Sequence, residues 1–291
     1  MGFRRIEWPT MAVAGAIAVG FGSVLAWHER IPTALLLLVL ALLGAWYNSL
    51  QHEVVHGHPT PWRRGNVALA IVPLALVVPF ATYRVTHLAH HRTKQLTDPR
   101  ADPESFYVTA TTWQHAGPVR RALLVVLQTL AGRLVLGPAV AAAQWWWTVV
   151  ATVRTRAGVV TVVGHLAGVA AVLAVVWASG LPVWIYAVGV VWGGGALSML
   201  RSFVEHRMPD DGTRSAVVRS NRFFALLFLN NNLHHTHHAL PRLAWYALPS
   251  AHELLGSDEL AARGAGFYRG YAQVARRYLV RPFDHPAMPV E

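Results

Sequence analysis

The sequence predicts an all-α integral membrane protein with four transmembrane helices in two hairpins, interfacial helices and a cytoplasmic histidine-rich cap. Three observations lead to this fold class. Hydrophobic residues make up 54% of the 291 residues and charged residues only 13%, unlike an ordinary soluble domain. Several apolar runs approach the roughly 20 residues that a helix needs to cross a bilayer. The chain also has 16 histidines and no cysteine. No repeat or linker divides it, so we expect a single domain over residues 1–291.

The first predicted hairpin consists of two apolar runs near the N-terminus, residues 11–27 and 31–50, joined by the polar link His28-Glu29-Arg30. Arg4 and Arg5 precede the first run, which could also be a signal peptide. No A-x-A cleavage site follows it, however, and the second run comes too soon. Two crossings return the chain to its starting side, where the first histidines follow.

Two further apolar segments are predicted to lie at the membrane surface rather than to cross it. Residues 67–81 are short and are interrupted by Pro73 and Pro79. Irregular backbone at membrane depth is tolerated where protein buries it, and a crossing here would separate the histidines on either side. Residues 134–150 contain three consecutive tryptophans, Trp145 to Trp147, and tryptophan favours the headgroup level. We therefore expect a re-entrant or interfacial segment followed by an interfacial helix.

The second predicted hairpin comprises residues 158–177 and 183–200, joined by the turn Ser179-Gly180-Leu181-Pro182. Within the second run, Gly193-Gly194-Gly195 predicts either close helix packing or a local break. The segment 84–156 is rich in arginine whereas the first outer link carries only Arg30. The positive-inside rule therefore places that segment, and the chain after residue 200, in the cytoplasm.

Three histidine clusters follow or precede these apolar runs and are predicted to meet on the cytoplasmic side. Residues at i, i+3 and i+4 share one helix face, so each cluster can direct its imidazoles to one side. Neutral imidazole is the commonest metal ligand at neutral pH. Four-coordinate zinc needs only four ligands, so eight histidines indicate two metal ions. The candidates are His52, His56, His87, His90, His91, His234, His237 and His238. His206, at the end of the last predicted span, is a ninth.

Other functions remain open at this point. The motif His52-Glu-Val-Val-His56 alone would fit a zinc membrane peptidase, with Glu53 as general base. The histidine-rich tracts could also bind metal loosely, without catalysis. Two additional clusters with helical spacing argue against both readings. The formal charge of +11 is almost entirely arginine and is explained by membrane topology and anionic headgroups, so we expect no nucleic-acid partner.

The clusters resemble the histidine boxes of the membrane fatty acid desaturase superfamily, which also includes alkane hydroxylases and carotenoid ketolases and hydroxylases. The matching pattern is HExxHG from His52 to Gly57, HxxHH from His87 to His91 and HxxHH from His234 to His238. Further matching pieces extend the resemblance over roughly residues 51–249. They are Leu96-Thr-Asp98-Pro-Arg-Ala-Asp102-Pro-Glu104-Ser, Asn231-Asn232-Leu-His234 and Trp245-Tyr246-Ala-Leu-Pro249.

The resemblance implies a non-haem di-iron centre that uses O2 and external electrons from a ferredoxin- or cytochrome-type donor and its reductase. The ligands would be the eight clustered histidines. His206 would match a separate Glu-His element of the hydroxylase branch, and His235 stands at a variable position of the third box. The substrate would be a lipid or hydrocarbon chain, and the leading reaction fatty acyl desaturation. The HExxH spacing also occurs in ketolases and hydroxylases, so hydroxylation of a lipid, alkane or terpenoid stays open.

Several polar residues near the boxes are candidates for orienting the ligand imidazoles. Five are carboxylates that could accept hydrogen bonds from them: Glu53, Asp98, Asp102, Glu104 and Glu205. Asn232 lies close enough in sequence to His234 either to approach the metals or to cap a helix beginning there. We expect an integral protein of a bacterial cytoplasmic membrane whose active site faces the cytoplasm. The tail over residues 267–281 is predicted to be an amphipathic helix.

Overall fold

The computed structural model describes residues 6–209 and 212–288. Arg4 and Arg5, which entered the topology prediction, lie outside the described residues. The chain divides into two compact units, each built from two separated stretches. The first unit contains the residues up to 84 together with 138–198, and the second contains 85–137 together with 199 onward. The prediction of a single domain stays a prediction.

The described residues are mostly helical. The helices, in chain order, are α1 (Trp8–Trp27), α2 (Thr33–Val55), α3 (Arg63–Ala70), α4 (Phe80–His90), α5 (Ala110–Gln114), α6 (Pro118–Leu127), α7 (Leu130–Thr152), α8 (Arg156–Ala178), α9 (Val183–Tyr186), α10 (Gly194–Ser202), α11 (Arg222–Leu227), α12 (His234–Ala239), α13 (Leu248–Leu255), α14 (Ser257–Arg263) and α15 (Tyr271–Tyr278). A π-helix, Ala187–Gly193, joins α9 to α10, and short 3-10 helices occupy His28–Arg30 and Trp245–Ala247. Two two-residue strands, β1 (Val217–Val218) and β2 (Phe267–Tyr268), pair in parallel.

Five helical stretches among the described residues are long and apolar enough to cross a membrane: Trp8–Arg30, Thr33–Val55, Leu130–Thr152, Arg156–Ala178 and Val183–Ser202. Four of them coincide with the predicted spans. The other is α7, which was predicted to be an interfacial helix but is as long as α8, at 23 residues. The all-helical fold, with helices that could cross a membrane, is thus confirmed. The choice of four crossings among five candidates stays a prediction, because length and composition do not separate α7 from the others.

The glycine-rich middle of the last candidate span allows close packing within the first unit. A Cβ on Gly44 of α2 would lie 2.8 Å from the carbonyl oxygen of Val190, and one on Gly194 would lie 3.0 Å from the backbone of Gly44. The first distance is shorter than Cβ contacts in real structures and the second is tighter than most of them, so the two backbones touch where the side chains are missing. The π-helix immediately precedes Gly194, so close packing and a local break occur together.

The segment between α3 and α4 is irregular, as the two prolines predicted, and its carbonyl groups are bonded by side chains of neighbouring helices. Tyr47 donates its hydroxyl hydrogen to the carbonyl of Ala70 at 2.9 Å, and Gln51 donates its amide to the same oxygen at 2.8 Å. Tyr186 donates to the carbonyl of Leu74 at 2.7 Å. His165 lies 3.2 Å from the carbonyl of Leu76 through its Nε2. These bonds satisfy backbone groups that lipid could not.

The second unit carries the second and third histidine clusters on short elements around a small apolar core. Val217, Leu233, Leu248 and Ala261 form this core, with Phe267 packed against it. Its residues lie in β1, α13 and α14 and at Leu233, the residue that precedes α12. The tail differs from its prediction, because residues 267–268 form β2 and only Tyr271–Tyr278 is helical.

Candidate metal centre

Four imidazoles from three separate stretches of the second unit meet at their Nε2 atoms. His90 lies in the last turn of α4, His206 follows α10, and His234 and His238 lie on α12. The Nε2 of His206 is 3.0 Å from that of His90 and 2.9 Å from that of His234. The Nε2 of His238 is 3.3 Å from that of His90. We call these four residues the first histidine group.

The other ring nitrogen of three of these histidines determines where the protons are. The Nδ1 of His90 is 2.8 Å from the carboxylate of Asp102. The Nδ1 of His206 is 3.2 Å from the carbonyl oxygen of Arg214, and the Nδ1 of His234 is 3.2 Å from Oδ1 of Asn231. Because these oxygens only accept hydrogen bonds, the three Nδ1 atoms carry hydrogen in the neutral rings.

The three Nε2 atoms therefore present lone pairs to one another. Two acceptors about 3 Å apart repel each other unless something positive lies between them. Metal–imidazole bonds of about 2.0–2.1 Å, the zinc value, separate two ligand nitrogens by about 2.8–3.4 Å at angles from 90° to tetrahedral. The observed separations of 2.9–3.3 Å fit that range. The donor set thus fits a metal ion, although imidazole suits iron, copper and zinc alike.

Three more imidazoles of the second unit form a similar arrangement, the second histidine group. The Nε2 of His91 is 3.1 Å from that of His87 and 3.1 Å from that of His237. The Nδ1 of His87 lies 3.1 Å from the carboxylate of Glu104. In the neutral ring Nδ1 therefore carries the hydrogen, and Nε2 keeps the lone pair that faces His91. Helix α12 serves both groups, since His237 belongs to the second group and His234 and His238 belong to the first.

His52 and His56, the first predicted cluster, belong to the first unit. His52 lies in the last turn of α2 and His56 is the C-cap of that helix. Both are buried, and their ring centroids are 4.9 Å apart. The i, i+4 spacing therefore places both rings together at the end of an apolar helix, as predicted. A shared site with the other clusters stays a prediction.

The predicted carboxylate partners differ in where the structure places them. Asp102 contacts His90, and Glu205 Oε1 lies 3.4 Å from Nδ1 of His234. Glu53 Oε1 is 4.0 Å from Nδ1 of His52. Asp98 forms an ion pair with Arg100 at 2.8 Å.

Asn231, and not Asn232, contacts a ligand histidine. Asn232 donates its side-chain amide to the carbonyl of Val218 in β1 at 2.8 Å, whereas Asn231 accepts from the ring of His234. Asn231 precedes that histidine by three residues, a spacing that could have pointed to it. The N-cap of α12 is Leu233, and no side chain caps it.

Burial and neighbouring rings keep most of these imidazoles neutral. Burial, together with the positive forms of His87 and His90, lowers the pKa of His91 to about 2. Burial and His90 lower the pKa of His206 to about 3. Burial opposes the charged form of His90, but its hydrogen bond to Asp102 leaves the pKa of this ring above its ordinary value. Neutral rings are the form that binds metal.

A chain of hydrogen bonds anchors α12 on the side away from the ligands. Thr236 is fully buried between the box histidines, and its Oγ1 lies 2.8 Å from Nδ1 of His252. His252 in turn lies 2.8 Å from the carboxylate of Asp258 through Nε2. Helical spacing does not predict this contact, because His252 lies 16 residues after Thr236. His235, at the variable position of the third box, belongs to neither histidine group of the described residues.

The comparison with known families agrees with this geometry. The family model described as Fatty acid desaturase matches residues 29–271, which contain all three histidine boxes. A comparison with curated proteins found no match. The matched region covers most of the 291 residues, and the apolar helices and histidine boxes it contains are those described above. The chain therefore belongs to the fatty acid desaturase family.

Proposed function

We propose that this protein is a membrane-bound non-haem di-iron oxidoreductase that uses O2 on an unactivated C–H bond of a lipid or hydrocarbon chain. The leading reaction is desaturation of a fatty acyl chain. Membership of the family supports an enzyme of the desaturase or hydroxylase type. The observation that carries the metal part is the convergence of lone pairs in the first histidine group, where three Nε2 atoms lie 2.9–3.0 Å from a neighbour.

The proposed ligands are the nine histidines predicted from sequence. The first histidine group would hold one iron ion, and the second group, completed by His52 and His56, would hold the other. Two iron ions bound there would supply the activation of O2, for which imidazole ligation is suited. His206 is included because its Nε2 lies 3.0 Å from that of His90.

The protein's own contribution is to hold protons and exclude water. Asp102, Glu104 and the carbonyl of Arg214 fix the Nδ1 protons of their histidines, so that each ring keeps its Nε2 lone pair for a metal. Such outer partners orient ligand rings and raise their basicity. His90 and His237 are only 2% and 1% exposed, so the centre lies away from bulk water, where a reactive oxidant would otherwise be lost.

Electron balance requires an external donor. Desaturation removes two hydrogens from the chain and, with two further electrons and two protons, reduces O2 to two waters. Neither the substrate nor O2 provides these two electrons, so a ferredoxin- or cytochrome-type donor with its reductase would supply them. We propose the cytoplasmic face of a bacterial cytoplasmic membrane as the place where this donor meets the site.

Hydroxylation is the second candidate reaction. The same electrons would reduce one oxygen atom to water and place the other in the product as an alcohol. Two features favour it: the HExxH spacing of the first box, and Glu205-His206, whose histidine joins the first histidine group. A zinc peptidase would leave seven clustered histidines outside its single site.

Metal analysis joined to product analysis tests the proposal. Protein expressed with iron should contain about two irons per chain, and lipid extracts of the host should change by two hydrogens for desaturation or one oxygen for hydroxylation. His90→Ala should lower the iron content and abolish the product, whereas His235→Ala serves as a matched control within the histidine-rich cap. One zinc per chain with unchanged lipids would refute the proposal.

A further inference from the structure

A basic pocket lies on the second unit, in the tail that follows the third histidine box. It has a volume of about 520 Å³, and Phe267, Arg269, Gln273, Arg276 and Arg277 are among the residues that line it. The spacing 269, 273, 276, 277 follows i, i+4, i+7 and i+8, so these side chains share one face of α15 and its approach. The opposite face packs inward, with Tyr271 and Val274 buried.

The arginines of this pocket have no carboxylate partner within the part of the chain that the structure describes. Arg219, Arg207 and Arg100 all form ion pairs with acidic residues. By contrast Arg277 lies over the ring of Tyr268, 5.8 Å from its centroid, and the guanidinium groups of Arg269 and Arg276 remain available. Three positive charges around one open pocket favour an anionic ligand.

The position of the pocket indicates which anion. Directly after α15, Leu279 and Val280 are 50% and 76% exposed. The carbonyl of Leu279 accepts a hydrogen bond from the backbone N–H of Ala131 at 2.9 Å, in the first turn of α7. Since α7 is long and apolar enough to enter a membrane, its first turn lies near the headgroups. The arginines and the two exposed aliphatic residues therefore lie together at that level.

We propose that this pocket binds the phosphate of an anionic lipid headgroup, with Leu279 and Val280 inserted among the upper parts of the acyl chains. Arginine is suited to phosphate because its planar fork donates two parallel hydrogen bonds. The combination of arginines with exposed aliphatic residues is typical of segments that lie in the membrane interface. An acidic soluble protein would instead need the aliphatic residues to be covered by a partner of matching shape. The proposal depends only on the membrane location of the chain and not on the reaction.

The test is a lipid titration of the purified full-length protein in neutral detergent, read by native mass spectrometry. Wild-type protein should retain phosphatidylglycerol in preference to phosphatidylcholine. The variant Arg269→Gln/Arg276→Gln/Arg277→Gln should weaken phosphatidylglycerol binding by about 100-fold, since each arginine near an anionic surface contributes about fivefold. Leu279→Ser/Val280→Ser should weaken the binding of both lipids.

The matched control is Arg63→Gln/Arg64→Gln/Arg120→Gln, which removes the same charge from exposed positions elsewhere and should change the affinity less than threefold. The thermal unfolding temperature and the metal content should stay at wild-type values in both triple variants. If the triple variant of the pocket misfolds, the single variant Arg276→Gln should still lose about fivefold in affinity for phosphatidylglycerol. The proposal is overturned if the wild-type protein binds the two lipids equally well. It is also overturned if the pocket triple variant and the control triple variant lose the same affinity for phosphatidylglycerol. Displacement by millimolar inorganic phosphate would indicate a free-phosphate site instead. Unchanged lipid binding with lost affinity for the electron donor would assign the surface to a protein partner.

Discussion

Replacing Asp102 by asparagine should weaken iron binding by the first histidine group without unfolding the protein. The Asp102 carboxylate, whose side chain is 1% exposed, accepts three hydrogen bonds. Oδ1 accepts from His90 at 2.8 Å and from the backbone N–H of Glu104 at 2.9 Å, and Oδ2 accepts from the backbone N–H of Thr97 at 2.9 Å. Asparagine has the same shape but only one accepting oxygen.

Either orientation of the new side chain therefore creates a conflict. With its oxygen toward His90, its amide hydrogens face the N–H of Thr97, and one buried donor loses its partner at a cost of about 1–3 kcal/mol. With its amide toward His90, that ring must move its proton to Nε2 and give up the lone pair that faces His206. Loss of such an outer partner typically lowers metal affinity by about 10–100-fold, which equals about 1.4–2.8 kcal/mol.

The assay is iron retention against a graded series of chelators, measured together with thermal unfolding. Asp284→Asn is the matched control, because its carboxylate accepts from Tyr107 at 2.9 Å and pairs with Arg207 but contacts neither histidine group. It should lower stability and leave iron affinity within twofold. Asp102→Asn with wild-type iron affinity would refute the argument that the fixed Nδ1 proton of His90 prepares its Nε2 for metal.

Three further predictions concern topology, the ninth histidine and helix packing. Single cysteines placed at Arg100 and Gly180 in this cysteine-free chain should react with impermeant reagents from opposite sides of the membrane; reaction from one side would contradict the two-hairpin topology. His206→Ala should retain about half the iron and lose turnover, whereas His235→Ala should keep its full iron content and its turnover. Full iron content and normal product formation in His206→Ala would show that His206 is not a ligand. Gly194→Val should prevent stable folding, because its Cβ would lie 3.0 Å from the facing backbone; a variant that melts like wild type would show that the two helices can separate.

The histidine positions could be predicted because the relevant information is local. The i, i+3 and i+4 spacing follows from helix geometry, and the structure does place His87, His90, His234, His237 and His238 on helices. The apolar spans were equally accessible, since length and hydropathy are properties of a continuous stretch. These two signals were enough for the fold class and for the family.

The remaining contacts depend on residues far apart in the sequence. Asn232 rather than Asn231 was expected to approach the metals, but the carbonyl of Val218, 14 residues away, binds the side chain of Asn232. Asp98 and Asp102 look alike in sequence, and only the position of Arg100 separates their roles. Composition likewise could not tell an interfacial α7 from a crossing one. The two compact units escaped prediction because each combines separated stretches of chain.

The irregular segment between α3 and α4 has a consequence for how the protein is made. Its carbonyls could not enter hydrocarbon alone, because each unsatisfied backbone group there costs several kcal/mol. Two of the side chains that satisfy them, His165 and Tyr186, follow their acceptors by 89 and 112 residues. During translation this segment is therefore synthesised well before the two side chains that bond its carbonyl groups. This order of synthesis predicts that the segment stays at the surface until α8 and α9 have been inserted, so that insertion of the first unit departs from chain order.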